Sequence, residues 1–261
     1  MKIRNTLTVF LITGLFLSTS CSESTTDEPL FEYTQTYSGS IQVPANIEQI
    51  TIENSIGFIF LNGSDDSLAA NYVLNKTVKV TESSLAQSAF DNITFDSVID
   101  SDTLKCKINF PSDRVDLYKS SLNFNMPRAK KIIVKKNNYG VQTFALTNDI
   151  YAETNNDECI LEGHGGSAEL HSQSGDISAI ISIPDSGYCK CYSVDGNITV
   201  LVPIGSSANI VIKTTSGTIT HSNLNIHNLA TTATELTGTI GSGDAIIYLE
   251  TVKGNILLKG F

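Results

Sequence analysis

Tryptophan is absent from this 261-residue chain, and basic residues are scarce: 17 against 27 acidic ones, a net charge of -10. No arginine follows Arg128, and no basic cluster follows Lys135-Lys136. Nucleic-acid binding is disfavoured by this scarcity, because neutralising a run of phosphates needs a concentrated Lys/Arg surface. The apolar run from Leu7 to Leu17 falls short of the roughly 20 residues that a membrane-crossing helix needs. What the chain does have is Ser, Thr, Asn, Ile and Val in abundance, with 41% apolar residues. That composition favours β-structure with many turns, and it suffices to bury a core in one large β domain or two smaller ones.

The N-terminus reads as a secretory signal. Lys2 and Arg4 form a short basic region, the apolar run follows, and Ser18-Thr19-Ser20 leads into Cys21. Small residues directly before a cysteine resemble the lipobox of bacterial lipoproteins, in which the thiol is diacylated and cleavage leaves that cysteine first. Ser18 stands where that family usually has Leu. The resemblance implies a signal peptide over residues 1–20, lipid (palmitate) on Cys21, and attachment to the cell envelope, with the outer membrane as the expected site. Ser22 to Pro29 is polar and without apolar periodicity, so residues 21–30 read as a lipidated flexible tether.

From Phe31 onward, apolar and polar residues alternate. Ile50-Thr51-Ile52, Phe58 to Leu61, Ile93 to Phe95, Leu104 to Ile108 and Lys131 to Lys135 read as short strands, and Asn137 to Gly140 as a turn. Glu82 to Ala89 carries Leu85, Ala86 and Ala89 at helical spacing and stops before Asp91-Asn92. The expected organisation is a β-rich part with one short helix over 31–136 and a repeat domain over 137–261.

That second part repeats. Gly175, Gly196 and Gly217 are 21 residues apart, each inside one phrase: Ser174-Gly175-Asp176-Ile177, Asp195-Gly196-Asn197-Ile198 and Ser216-Gly217-Thr218-Ile219. A fourth phrase, Lys253-Gly254-Asn255-Ile256, lies out of strict register, and His221 to Gly243 reads as an irregular insert. Seven and five residues before the glycines stand Ala168 and Leu170, Cys189 and Cys191, Ile210 and Ile212, Ile247 and Leu249. Two and four residues after come Ile177 and Ala179, Ile198 and Val200, Ile256 and Leu258. Period-two spacing turns each set to one side, so these are two walls of a shared core. Glycine suits the turn because it tolerates a left-handed backbone. Pro184 to Gly187 and Pro203 to Gly205 supply the alternate turns. The pattern predicts an all-β solenoid with two short strands per 21-residue unit, each unit stacked on the last; an antiparallel β-meander or sandwich is the alternative.

The stretches Asn209 to Ile219 and Gly238 to Ile256 resemble the bacterial putative-adhesin family of β-strand-repeat proteins, a domain of unknown function common in cell-envelope proteins. The similarity covers roughly Cys159 to Phe261 and, more faintly, Ser38 to Lys136. It implies a β-solenoid at the envelope, and it brings no catalytic residues with it.

Candidate chemistry is sparse. His164, His171, His221 and His227 lack the spacing of a metal site and read as surface residues, so no metal and no cofactor is expected. Cys189 and Cys191 take aliphatic positions in the inward column and read as small core hydrophobes, with Cys159 the best partner if a disulfide forms. Asp176 and Asp195 could form a carboxylate pair of the kind used by β-helix enzymes on acidic polysaccharides, but turn geometry alone explains both. A calcium site on repeated Gly-Asp turns is broken by Asn197, Thr218 and Asn255. Ser67, Ser97 and Thr103 sit in short Asp-Ser/Thr-aliphatic phrases that resemble an O-glycan acceptor sequence. The expected function is a non-catalytic binding, adhesion or scaffold module, its partners the membrane through the lipid and a glycan or protein ligand. The alternatives are a polysaccharide-processing enzyme and an accessory protein of an envelope-stress sensor.

Overall fold

The computed structural model describes residues 28–54, 56–111 and 115–261, so the expected signal peptide, Cys21 and most of the expected tether lie outside the described residues. In chain order the strands are β1 (Phe31–Gln42), β2 (Gln49–Asn54), β3 (Gly57–Ser64), β4 (Ala69–Val80), β5 (Thr94–Asp100), β6 (Thr103–Asn109), β7 (Tyr118–Pro127), β8 (Lys131–Asn137), β9 (Val141–Phe144), β10 (Ile150–Thr154) and β11 (Cys159–His164). They continue as β12 (Ala168–Ser174), β13 (Ile177–Ile181), β14 (Tyr188–Asp195), β15 (Ile198–Val202), β16 (Ala208–Ser216), β17 (Ile219–Ser222), β18 (Ile226–Thr231), β19 (Glu235–Ile240), β20 (Ala245–Lys253) and β21 (Ile256–Gly260). One helix, α1 (Ser83–Asp91), lies between β4 and β5.

The strands form two sheets. One has ten strands in the order β1-β4-β7-β3-β9-β11-β13-β15-β21-β17, the other eleven in the order β18-β19-β16-β20-β14-β12-β10-β8-β2-β6-β5. Each coil gives one strand to each sheet, and successive coils pair in parallel. Eight coils stack in this way. The solenoid expected from the 21-residue period is therefore the fold, and the meander is not.

Inward columns fill one continuous core. Ala168, Cys189, Ile247 and Ile210 stand in register across the eleven-stranded sheet, as do Leu170, Cys191, Leu249 and Ile212. Ile177, Ile198 and Ile256 face them from the ten-stranded sheet, and all of these side chains are buried. Cys106, Cys159, Cys189 and Cys191 are buried free thiols. Cys189 Sγ lies 3.9 Å from Cys191 Sγ, a thiol–thiol contact too long for a disulfide. Burial pushes the thiols of Cys106 and Cys159 up to about 12, so neither has the thiolate character that oxidation requires.

The order of the coils departs from the expectation that each unit stacks on the last. The coil β16-β17 does not touch β14-β15; the last coil of the chain, β20-β21, is inserted between them. At the other end, β2-β3 lies between the β6-β7 coil and β8-β9. Both ends finish in antiparallel strands: β4 and β1 beyond β7, β5 beyond β6, and β19 and β18 beyond β16. The segment His221 to Gly243, expected as an irregular insert, contains this C-terminal cap. Covering a terminal edge in this way removes a template for uncontrolled strand pairing.

Two of the four glycine turns differ from expectation, while Gly217 and Gly254 have the positive φ expected of them. Gly175 and Gly196 do not have positive φ. What excludes a side chain there is proximity: a Cβ on Gly196 would lie 2.2 Å from the Gly175 carbonyl oxygen, and one on Gly254 2.1 Å from that of Gly196. Buried hydroxyls bridge the same contacts. Thr251 Oγ1 donates to Gly196 O at 2.9 Å, and Thr214 Oγ1 to Gly254 O at 3.1 Å.

Helix α1 buries Ala86, Ala89 and Phe90, and it packs on β4 and β1. Lys76 reaches under it from β4, its ammonium 3.0 Å from Phe90 O and 4.0 Å from the Tyr37 ring centroid. A cation is favourable there because the last carbonyls of a helix carry its negative dipole end.

Candidate functional site

The residues between the inward columns of the eleven-stranded sheet point outward, and in its middle they form an aromatic row. His171 pairs with Tyr192 in register, and their rings stack at 4.7 Å and 14°. Tyr151 and Tyr248 join diagonally, two positions off that register, which tilts them: 5.4 Å and 42° for Tyr151 on His171, 5.5 Å and 36° for Tyr248 on Tyr192. Carboxylates hold the row. Tyr151 donates its hydroxyl to Glu153, Tyr248 donates to Glu250 at 2.7 Å, and His171 Nε2 lies 3.0 Å from Glu169. The Glu250 hydrogen bond, with burial, pushes the Tyr248 hydroxyl up to about 12. Burial and the Glu153 hydrogen bond raise Tyr151 likewise. Both phenols therefore stay protonated as donors at neutral pH, and each side chain is fixed by two neighbours.

Beside the row lies a cleft of about 310 Å³ lined by Lys131, Ile133 and Lys135 from β8, Asp149 next to β10, Tyr151 and Glu153 on it, and Tyr188 at the start of β14. The coil between them begins with Gly165-Gly166-Ser167, which offers little side chain to fill the space. A Cβ on Gly166 would meet Asn148 backbone at 2.4 Å, so close packing keeps that position small.

The candidates from sequence fall elsewhere. Asp176 and Asp195 are taken up separately: Asp176 accepts from the Asn197 backbone N–H at 2.7 Å, and Asp195 lies 3.7 Å from the Lys253 ammonium. Asn197 in turn accepts from the Asn255 N–H at 2.9 Å, and Asn255 from the Thr218 N–H at 2.9 Å. The residues that interrupt a calcium series are thus successive rungs of one turn ladder. The four histidines do not converge, and no group of three or more metal-ligating side chains occurs among the described residues. Ser67 is exposed in a turn, while Ser97 on β5 and Thr103 on β6 are half-buried.

His164 corrects the expectation of surface histidines. It is 1% exposed, with Nε2 3.1 Å from Ser167 O and Nδ1 buried without a partner. Burial holds it below its ordinary 6.5, against weaker opposing effects of Ser167 O and Asp149. The unfolded chain then binds the extra proton first, so stability should fall as pH drops through about 6.5 and level off below the folded value. Thermal melts between pH 8 and 5 should show His164→Gln losing less stability than the parent over that window. Parallel curves would refute it.

The aromatic row was missed in the sequence, although a signal existed. His171 and Tyr192 occupy one column of the 21-residue repeat, four residues before Gly175 and Gly196. Reading the outward columns as the inward ones were read finds this pair; Tyr151 and Tyr248 lie two positions away and need the strand pairing.

A two-sheeted parallel β-solenoid with antiparallel end strands and an outward-facing, half-buried aromatic ladder defines the structural class. The sequence profile of the Toastrack DUF4097 family matches residues 40–259, and the chain belongs to that family. Solved structures that align with it include a putative cell adhesion protein from Clostridium sporogenes, 10% identical over 87% of this chain and 100% of the other, with a TM-score of 0.46. A putative adhesin from Parabacteroides distasonis is 15% identical over 86% and 96%, with a TM-score of 0.34. No curated protein matches the chain. Among the described residues no helix is long and apolar enough to cross a membrane.

Proposed function

We propose that this protein is a cell-envelope lipoprotein, held through lipid on Cys21, that acts as a non-catalytic binding module for adhesion or scaffolding. The outer face of the eleven-stranded sheet is its working surface. The observation that carries this reading is the ladder Tyr151-His171-Tyr192-Tyr248: aromatic side chains already locked by stacking and by carboxylates lose little freedom when a ligand arrives. Strand faces hydrogen-bonded on both sides move little, which suits recognition by a preformed surface. Asp176 and Asp195, spent on the turn ladder and on Lys253, offer no acid-base pair to the enzymatic alternative.

Cell fractionation with protease shaving tests the anchor and the placement. The parent should follow the membrane fraction, and Cys21→Ser should move to the soluble fraction. A Cys21→Ser protein that stays with membranes would remove the lipid anchor from this reading. Intact mass of the native protein tests Ser67, Ser97 and Thr103: a mass equal to the lipidated polypeptide alone removes glycosylation.

A further inference from the structure

We infer that the cleft beside Tyr151 is a binding subsite for one uncharged pyranose unit of a glycan. The inference rests on the binding-module reading and gives it a ligand class. The strand beneath the cleft leaves a peptide no backbone to pair with, because β10 is bonded to β8 on one side and to β12 on the other. Recognition here falls to side chains alone, and strand addition is ruled out at this place.

Those side chains are of three kinds. Ile133, Tyr151 and Tyr188 give apolar surface. His171 covers the Tyr151 ring on the β12 side, so the flank toward β8, where Ile133 stands in register with Tyr151, is the one that opens to the cleft. Lys131 and Lys135 supply donors, and neither makes an ion pair among the described residues. Asp149 and Glu153 supply acceptors. Among the lining residues two cations stand against two carboxylates, with Glu169 beside Tyr151 at the border, in a protein whose total is -10. A polyanion would meet two carboxylates at close range, and a cation two lysines. A sugar ring suits both halves of the lining: its C–H faces lie against aromatic and aliphatic surface, while its hydroxyls donate to carboxylates and accept from ammonium groups.

The periodicity of the surface extends the idea beyond a single unit. Neighbouring strands are about 4.8 Å apart, close to the length of one pyranose in an extended glycan, so a chain running along the solenoid axis would meet a new outward row with each sugar. Beyond Tyr151 and Glu153, in register across β12, β14 and β20, those rows present Glu169, Lys190 and Tyr248 on one line and His171, Tyr192 and Glu250 on the other.

Calorimetric or NMR titration of the lipid-free mature protein with neutral hexasaccharides (cello-, xylo-, laminari-, malto- and mannohexaose), and with hexagalacturonate as the acidic counterpart, tests this. At least one neutral oligosaccharide should bind, and hexagalacturonate should not. Tyr151→Ala should weaken binding about tenfold. Ile133→Glu, which puts a further carboxylate into the cleft, should abolish it, while Phe144→Ala, an exposed side chain of the ten-stranded sheet, should leave binding unchanged. Preference for hexagalacturonate, binding indifferent to both cleft variants, or no binding of any neutral oligosaccharide would overturn the subsite. These failures leave the lipoprotein reading standing, since that reading falls on a different result: cleavage of an oligosaccharide, or absence of the protein from the envelope.

Discussion

Gly196→Ala is expected to lower the melting temperature by about 10 °C and Gly205→Ala to leave it unchanged, although both add one methyl group at a turn. A Cβ on Gly196 would stand 2.2 Å from the Gly175 carbonyl oxygen and 2.6 Å from its carbon, and both are backbone atoms of the neighbouring coil that no rotamer change can move. The coils must part locally, which strains the flanking ladder: the Gly196 N–H to Lys253 O bond at 2.9 Å and the Thr251 hydroxyl on Gly196 O. Overpacking against fixed atoms costs about 3 kcal/mol, and in a chain of this size each kcal/mol moves the midpoint by about 2–4 °C. Gly205 has nothing within 4 Å of a built Cβ. Differential scanning calorimetry of both variants decides the matter; equal midpoints would mean that the contact between coils is softer than its geometry requires.

The glycines were visible in the sequence, but the reason for them was not. A recurring Gly in Ser-Gly-Asp and Asp-Gly-Asn reads as a need for left-handed backbone, because that is a turn's usual demand. At Gly175 and Gly196 the demand comes from the next coil, which no local pattern reveals. The inward columns, by contrast, were fully legible: Ala168 with Leu170, Cys189 with Cys191 and Ile210 with Ile212 alternate at period two and recur at 21 residues, and all are buried. His164 misled for a related reason. It lies at the irregular end of β11, where the register with β13 shifts between Leu161 and His164, and that shift turns a polar residue inward. The cleft was equally hidden. Its lining comes from β8, β10 and β14, and only the pairing of the strands brings Lys131, Tyr151 and Tyr188 to one place.

Which coil lies beside β14 is the question the sequence leaves open, and it leads to the second large expected effect. Ile247, Leu249, Thr251 and Gly254 of the last coil carry the same pattern as Ile210, Ile212, Thr214 and Gly217 of the coil before it. Both sets take the same register: Cys189 opposes Ile247, and Ile247 opposes Ile210. Either coil could therefore satisfy the edge of β14. The cap settles the choice, since β19 covers the outer edge of β16 in antiparallel pairing and leaves β20 only the inner slot. Deleting residues 244–261 should then close the gap: β16 moves onto β14 with β19 attached, and the chain remains folded one coil shorter. The Thr214 hydroxyl would pass from Gly254 O to the equivalent Gly196 O.

A cysteine pair reads this movement directly. In the full chain Lys190 and Val211 are both partners of Tyr248, one on each side of β20, so they stand two strand spacings apart. That is about 9–10 Å, beyond the roughly 7 Å that a disulfide tolerates. The double variant Lys190→Cys with Val211→Cys should stay reduced under mild oxidation in the full-length protein and form its crosslink in the truncated one, where the two residues become direct neighbours. The native thiols would not compete, because Cys106, Cys159, Cys189 and Cys191 are all buried in the core. A truncated protein that neither crosslinks nor unfolds cooperatively would show that β16 needs β20 in particular, and that the repeated pattern of the two coils does not make them interchangeable.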